Sequence, residues 1–277
     1  MSVAVVVALI SAGVAVCSAA VTAYATARSV RLQHALTLHR VRLDRQEASE
    51  DLVRRYREPL LLAAFDLQTR IGNIVQNDFA ARHMGSPDPE EHHYARTSTL
   101  YRIGEYFGWI EILRRGLQFL NLGEDRRTHE LVERLDQVSR TFADTQRYPA
   151  SAFRLFRDEQ RALGEVMLEP IDGELRRYQC IGYATFAARL ETDAAFARWF
   201  QRLGTESGML ADPVPGQLDR LIEVQHALID VIDFLDPEGM RFSKAHIKRQ
   251  QKLGRSGRLL PALKDGTCWR FPGDGQL

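Results

Sequence analysis

Three groups of residues have types and spacings that could do chemistry. The first lies in RDEQRALGEVMLE, Arg157 to Glu169, where Asp158, Arg161 and Glu165 fall near one helical face and Glu165 and Glu169 stand one turn apart. Two carboxylates beside a guanidinium can hold a cation or share general acid and base roles. Exposed bundle helices carry the same residues routinely. The second group is Glu223, His226, Asp230 and Asp233, whose spacing puts all four on one helical stripe. Helical bundles build dinuclear metal sites from carboxylates plus a histidine three residues on, but such a site needs a second helix of the same kind. His129 beside Glu130, and His92-His93 in a segment that reads as a loop, do not supply it. A solvated acidic face is the simpler account of this stripe. No metal is therefore called for.

The third group is RFSKAHIKRQQKLGRSGRLL, Arg241 to Leu260. It carries Arg241, Lys244, Lys248, Arg249, Lys252, Arg255 and Arg258 with no acid between, and three of the chain's four lysines stack here at intervals of four. Such a run attracts anionic lipid headgroups or nucleic-acid phosphates. No aromatic residue interleaves between Lys244 and Leu260 for base stacking. The bland alternative is a tail helix that is solvated or packed on Asp230, Asp233 and Asp236. The recurring catalytic signatures are missing: there is no glycine-rich phosphate loop, no H-E-x-x-H, no nucleophile elbow and no kinase set. No motif implies a cofactor.

The elements that must position these groups read as helices almost throughout. Residues 3–27 run without a charge until Arg28. As a helix, 25 such residues reach about 37 Å, enough to cross a hydrocarbon core of about 30 Å. Ala23-Tyr24-Ala25 resembles a signal cleavage site. The basic residues, however, follow the apolar run instead of preceding it, so the expectation is an uncleaved anchor with its N-terminus outside and the rest in the cytoplasm. Small residues every four positions, at Ala4, Ala8 and Ala12 and from Ser11 to Ala23, suit self-association of that helix.

Residues 28–58 read as a helical stalk. From Pro59 the apolar positions Leu60, Ala63, Ala64, Leu67, Ile71 and Ile74 share one face, while Asp66, Arg70, Asn73 and Asn77 form a polar stripe. GSPDPEEHH, Gly85 to His93, reads as a loop, and a long helix follows, with Gly123 as its C-terminal cap. Gly104 and Gly108 within it each cost about 1 kcal/mol relative to Ala, which predicts a neighbouring helix pressed close against that backbone beside Phe107 and Trp109. Further helices are predicted over Arg126 to Phe142 and Ala152 to Met167. The segment from Tyr178 to Leu190 fits a short strand or a helix, with helix favoured. A helix over AAFARWFQRL follows, and one with Leu221, Val224, Leu228, Ile232 and Leu235 inward closes the bundle.

Composition bounds the rest. With 37 basic against 36 acidic side chains there is no global pull toward nucleic acid or lipid. Cys17, Cys180 and Cys268 form no C-x-x-C, which argues against disulfides or zinc and suits a reducing compartment. The expectation is thus all-α: an anchor over 1–27, a stalk over 28–58, a cytoplasmic bundle over 59–240 and a basic tail over 241–277. This organisation suggests a bacterial membrane-tethered helical protein, a single-pass protein of the cell membrane, and points to no family. The function expected is that of an interaction, scaffold or regulatory module with a protein partner, possible self-association, and no catalysis. The alternatives are a metal-dependent hydrolase using Glu165 and Glu169 or His226 and Asp230, and an anionic-surface binder using Lys244, Lys248, Arg249, Lys252 and Arg255.

Overall fold

The computed structural model describes residues 54–118, 126–149, 152–171, 173 and 177–242, together with positions 13, 22, 24, 26, 28, 29, 33, 36, 37 and 40, each helical and exposed. About three-quarters of the structure is helix and 3% is strand. The expected single-pass membrane localisation is corrected: among the described residues no helix is long and apolar enough to cross a membrane. Most of the apolar run 3–27 lies outside the described residues, and the exposed side chain of Tyr24 within it is one of the few positions placed.

The first continuous helix, α1, covers 54–76. Its expected inner face is buried in full, from Leu60 and Ala63 through Leu67 to Ile74. Asn77 and Asp78 break it, with Asp78 in the left-handed region at φ 53°, a conformation that Asp tolerates through its short polar side chain. A π-helical turn, Ala80–Met84, follows. The expected loop from Gly85 to His93 is shorter than its composition suggests, because α2, Pro89–Gln118, begins inside it. Pro89 takes a first-turn position where a missing N–H is harmless. The Asp88 side chain accepts the Glu90 N–H at 3.0 Å, and Glu90 and Glu91 complement the positive end of the helix.

Helix α3, Arg126–Ala143, lies where its pattern predicts. Helix α4, Arg157–Val166, begins five residues later than the sequence suggests. Residues 152–156 are held open by tertiary bonds. The Ala152 N–H donates to the Gln217 carbonyl at 2.9 Å, the Leu155 N–H to the Phe142 carbonyl at 3.1 Å, and Gln160 Nε2 to the Leu155 carbonyl at 2.8 Å. Phe153, buried at φ 59°, donates its N–H to Glu206.

The all-α expectation holds, with one short hairpin added to it. Strands β1, Leu168–Pro170, and β2, Tyr178–Cys180, pair antiparallel with Glu169 opposite Gln179. The segment that fitted strand or helix is therefore both, since Tyr178–Cys180 is followed by α5, Tyr183–Thr192. Asp193 ends α5 and starts α6, Ala194–Met209, by accepting the Phe196 N–H at 3.0 Å. Helix α7, Asp219–Leu235, is the most completely buried, with Leu221, Val224, Leu228, Ile232 and Leu235 all inward as expected.

One buried apolar cluster runs from Leu60 to Leu235 and joins all these helices. Helix α2 is its spine, packed on α4, α5, α6 and β2, while α3 packs on α7. The chain leaving α7 is fastened back on α1. Arg57 Nε donates to the Leu235 carbonyl at 2.6 Å, Arg241 pairs with Glu58, and Phe242 stacks on Phe65 with ring centroids 3.8 Å apart. The Asp236 side chain accepts the N–H groups of Met240, Arg241 and Phe242 at 2.9, 3.0 and 3.1 Å and so makes that turn.

Candidate functional site

The first carboxylate group is dispersed by the fold. Glu165 is on α4 and pairs with Arg161 at 3.1 Å on an exposed face. Glu169 is on β1 and accepts from Gln179 at 2.9 Å, so the two glutamates do not share a helix. The second group keeps its stripe on α7. His226 Nδ1 is 3.6 Å from Glu223, and the Asp230 carbonyl accepts from Arg134 of α3 at 3.5 Å. The early start of α2 does create a second helical Glu-x-x-His, Glu90 to His93. His93, however, faces Glu191 of α5 at 3.4 Å. Among the described residues no three His, Cys, Asp or Glu gather to hold a metal. Of the basic run, Arg241 is tied to Glu58; Lys244, Lys248, Arg249, Lys252 and Arg255 lie outside the described residues.

Polar groups converge elsewhere, where α1, α2, β2 and α5 meet. On α2, Tyr101 and Glu105 are one turn apart, and the Tyr101 hydroxyl donates to Glu105 Oε1 at 3.0 Å. The Cys180 thiol points at the Glu105 carbonyl, 3.7 Å away. Tyr183 of α5 meets Tyr101 edge-on at 5.5 Å and Tyr94 at 6.4 Å. From α1, the carbonyl of Asp66 accepts from Arg102 at 3.1 Å, and Arg70 Nη2 donates to Ser98 Oγ at 3.2 Å.

Burial perturbs this cluster, since it disfavours whichever form is charged. Burial raises the Glu105 carboxyl above the usual range, and Asp66 adds to that; the hydrogen bond from Tyr101 works the other way. Burial and then Glu105 raise the Tyr101 phenol and the Cys180 thiol. Burial, and next the charge of Arg102, lower Arg70 to about 10. Cys180 is thus a thiol and a poor nucleophile. It serves α2 as a packing group, since a Cβ placed on Gly108 would lie 2.5 Å from its sulfur.

Polar groups from four elements gathered under burial make this cluster a candidate site. Only Arg70 and Asp66 were visible beforehand, as parts of a polar stripe. Tyr94, Tyr101 and Glu105 give one signal, the i,i+7 and i,i+4 recurrence of tyrosine and glutamate along α2, which looks like an ordinary helix face; Tyr183, on α5, gives none.

A second feature is an open trough between α3 and α7. It has a volume of about 510 Å³, and its lining includes Arg126, His129, Glu133, Arg134, Arg140 and Asp230. Around Arg134 it continues into a hollow of about 390 Å³ at Asp233 and Phe234. The Arg134 guanidinium sits over the Phe234 ring at 5.1 Å, and Arg127 approaches the same ring at 6.0 Å. Arg134 also pairs with Glu130 at 2.6 Å.

Compared with known proteins, the chain matches no protein-family model, no curated protein and no solved structure.

Proposed function

We propose that the chain acts by binding another protein, which docks along the trough between α3 and α7. The observation that carries this reading is the trough itself: open, and lined by guanidiniums, a histidine and carboxylates together. Small-molecule sites bury most of their ligand inside a concave, mainly apolar wall. A partner segment with a complementary charge pattern suits an open, two-signed surface better, because such patterns give specificity and register. Helix α3 is built for this division. Leu131, Leu135, Val138 and Phe142 hold it on the core, and its opposite face is left for the partner. Phe234, flanked by Arg127 and Arg134, supplies an aromatic anchor of the kind that dominates interface energy.

The test is site-directed photo-crosslinking in cells that make the full chain, with the reactive side chain at His129 or Glu133 on α3 and, as control, at Arg161 on α4. A discrete protein adduct from the two α3 positions, reduced by Asp230→Arg and absent from position 161, is expected. No adduct at α3, or the same adducts from all three positions, contradicts the proposal.

A further inference from the structure

Arg70 carries an inference of its own. The residue is 4% exposed. Its guanidinium stacks 3.9 Å over the Phe79 ring, beside the π-helical turn. Nη2 has Ser98, and the Tyr94 hydroxyl is a second hydrogen-bonding partner. Nε and Nη1 are sealed from solvent and meet no acceptor. Among the described residues no carboxylate hydrogen-bonds to it; of the charges that act on it, Arg102 opposes the guanidinium and Asp66, one turn back on α1, favours it more weakly. A buried cation with no hydrogen-bonded counter-ion and less than a full set of acceptors is costly, and a cation–π contact offsets only part of the loss.

We propose that Arg70 forms the floor of an anion site, with Tyr94 as its movable cover, that takes a carboxylate or phosphate group of a ligand. The donors on Nε and Nη1 face that group, and Arg102 supplies the second positive charge. Guanidinium is the side chain best matched to such oxyanions. Tyr94 is 54% exposed and touches Tyr183, itself 36% exposed, so rotation of one surface ring opens the way. The Ser98 hydroxyl, on the next turn of α2, accepts from Nη2 and donates to the Ala95 carbonyl at 3.3 Å, so it holds the guanidinium in place.

The experiment follows thermal unfolding of the full chain while inorganic phosphate or acetate is titrated against chloride at matched ionic strength. A saturable rise in the unfolding midpoint with one of the two anions is expected, and which one responds tells phosphate from carboxylate chemistry. Loss of a charge-assisted bond corresponds to about tenfold or more in affinity, so Arg70→Met should weaken the response by at least that factor. Tyr94→Ala, which removes the cover, should keep or strengthen it. Equal shifts in wild type and Arg70→Met overturn the site, as does the absence of a saturable shift in both wild type and Tyr94→Ala, which would leave only ordered water around Arg70. Should Arg70→Met fail to fold, Arg102→Met gives the second reading: weaker binding supports the site, and unchanged affinity overturns it.

Discussion

Two arginines show how differently one residue type can be buried. Arg220 is fully buried, and its guanidinium donates to the carbonyls of Ala152, Asp144 and Tyr148 at 3.0, 2.6 and 3.0 Å. It staples the loop between α3 and α4 to α7. Arg220→Met orphans those carbonyls, and a loss of about 3 kcal/mol in urea-unfolding stability is expected. Arg70→Met removes a charge with few acceptors, so in the same assay it should be near neutral or stabilising. Two carboxyls give opposite pH signatures. The folded-state value of Glu105 is raised, so its favourable contribution is present in acid and is lost as pH rises past the ordinary carboxylate range. Glu105→Gln should therefore be more stable than wild type at neutral pH, and this advantage should vanish in acid. Burial by itself would raise Asp236, but three backbone N–H groups and Arg57 outweigh it and hold the carboxyl low. Its contribution is present at neutral pH and lost as pH falls through the depressed value. Asp236→Ala should cost about 2 kcal/mol at neutral pH, with the gap to wild type closing in acid.

At the scale of elements, α2 is shaped by what presses on it. A Cβ on Gly104 would lie 3.0 Å from the Met167 sulfur and 3.1 Å from Phe200; on Gly108, 2.5 Å from the Cys180 sulfur. The predicted close approach is thus real, although a strand and the turn before it supply it along with α6. Gly164 of α4 is the least forgiving, since its Cβ would lie 2.6 Å from the backbone carbonyl of Phe107. A side chain can rotate away and a backbone carbonyl cannot. Alanine should therefore be most damaging at Gly164, intermediate at Gly108 and mildest at Gly104, with overpacking costs of about 1–3 kcal/mol partly offset by helix propensity. Cys180→Ala should relieve Gly108→Ala and leave Gly164→Ala unchanged. Unfolding midpoints of the series check the order. The helices were legible because their apolar positions repeat at the helical period. The delayed start of α4 and the strand at Tyr178 were not, because bonds to Gln217, Phe142 and Met167 decide them.

For the whole molecule, the same contrast separates fold from site. Leu60 to Ile74 and Leu221 to Leu235 announced the core they form, since each helix carries its own stripe. The cluster of Arg70, Tyr101, Glu105 and Cys180 joins residues as far as 110 positions apart, from Arg70 to Cys180, so no local window contains it. The carboxylates that look like a site, Glu165 and Glu169 at one-turn spacing, are parted because α4 ends at Val166 and Glu169 enters β1. The expected membrane localisation rested on one apolar run, and among the described residues no helix has the length and apolarity to cross a membrane. The surface we propose for a partner is the α3–α7 face. Hydrogen exchange of the full chain, alone and with the protein captured at Glu133, measures that claim most directly. Slower exchange is predicted along Arg126–Ala143 and Asp219–Leu235 with α4 and α5 unchanged; protection confined to α1, α4 or α5, or none at all, would contradict it.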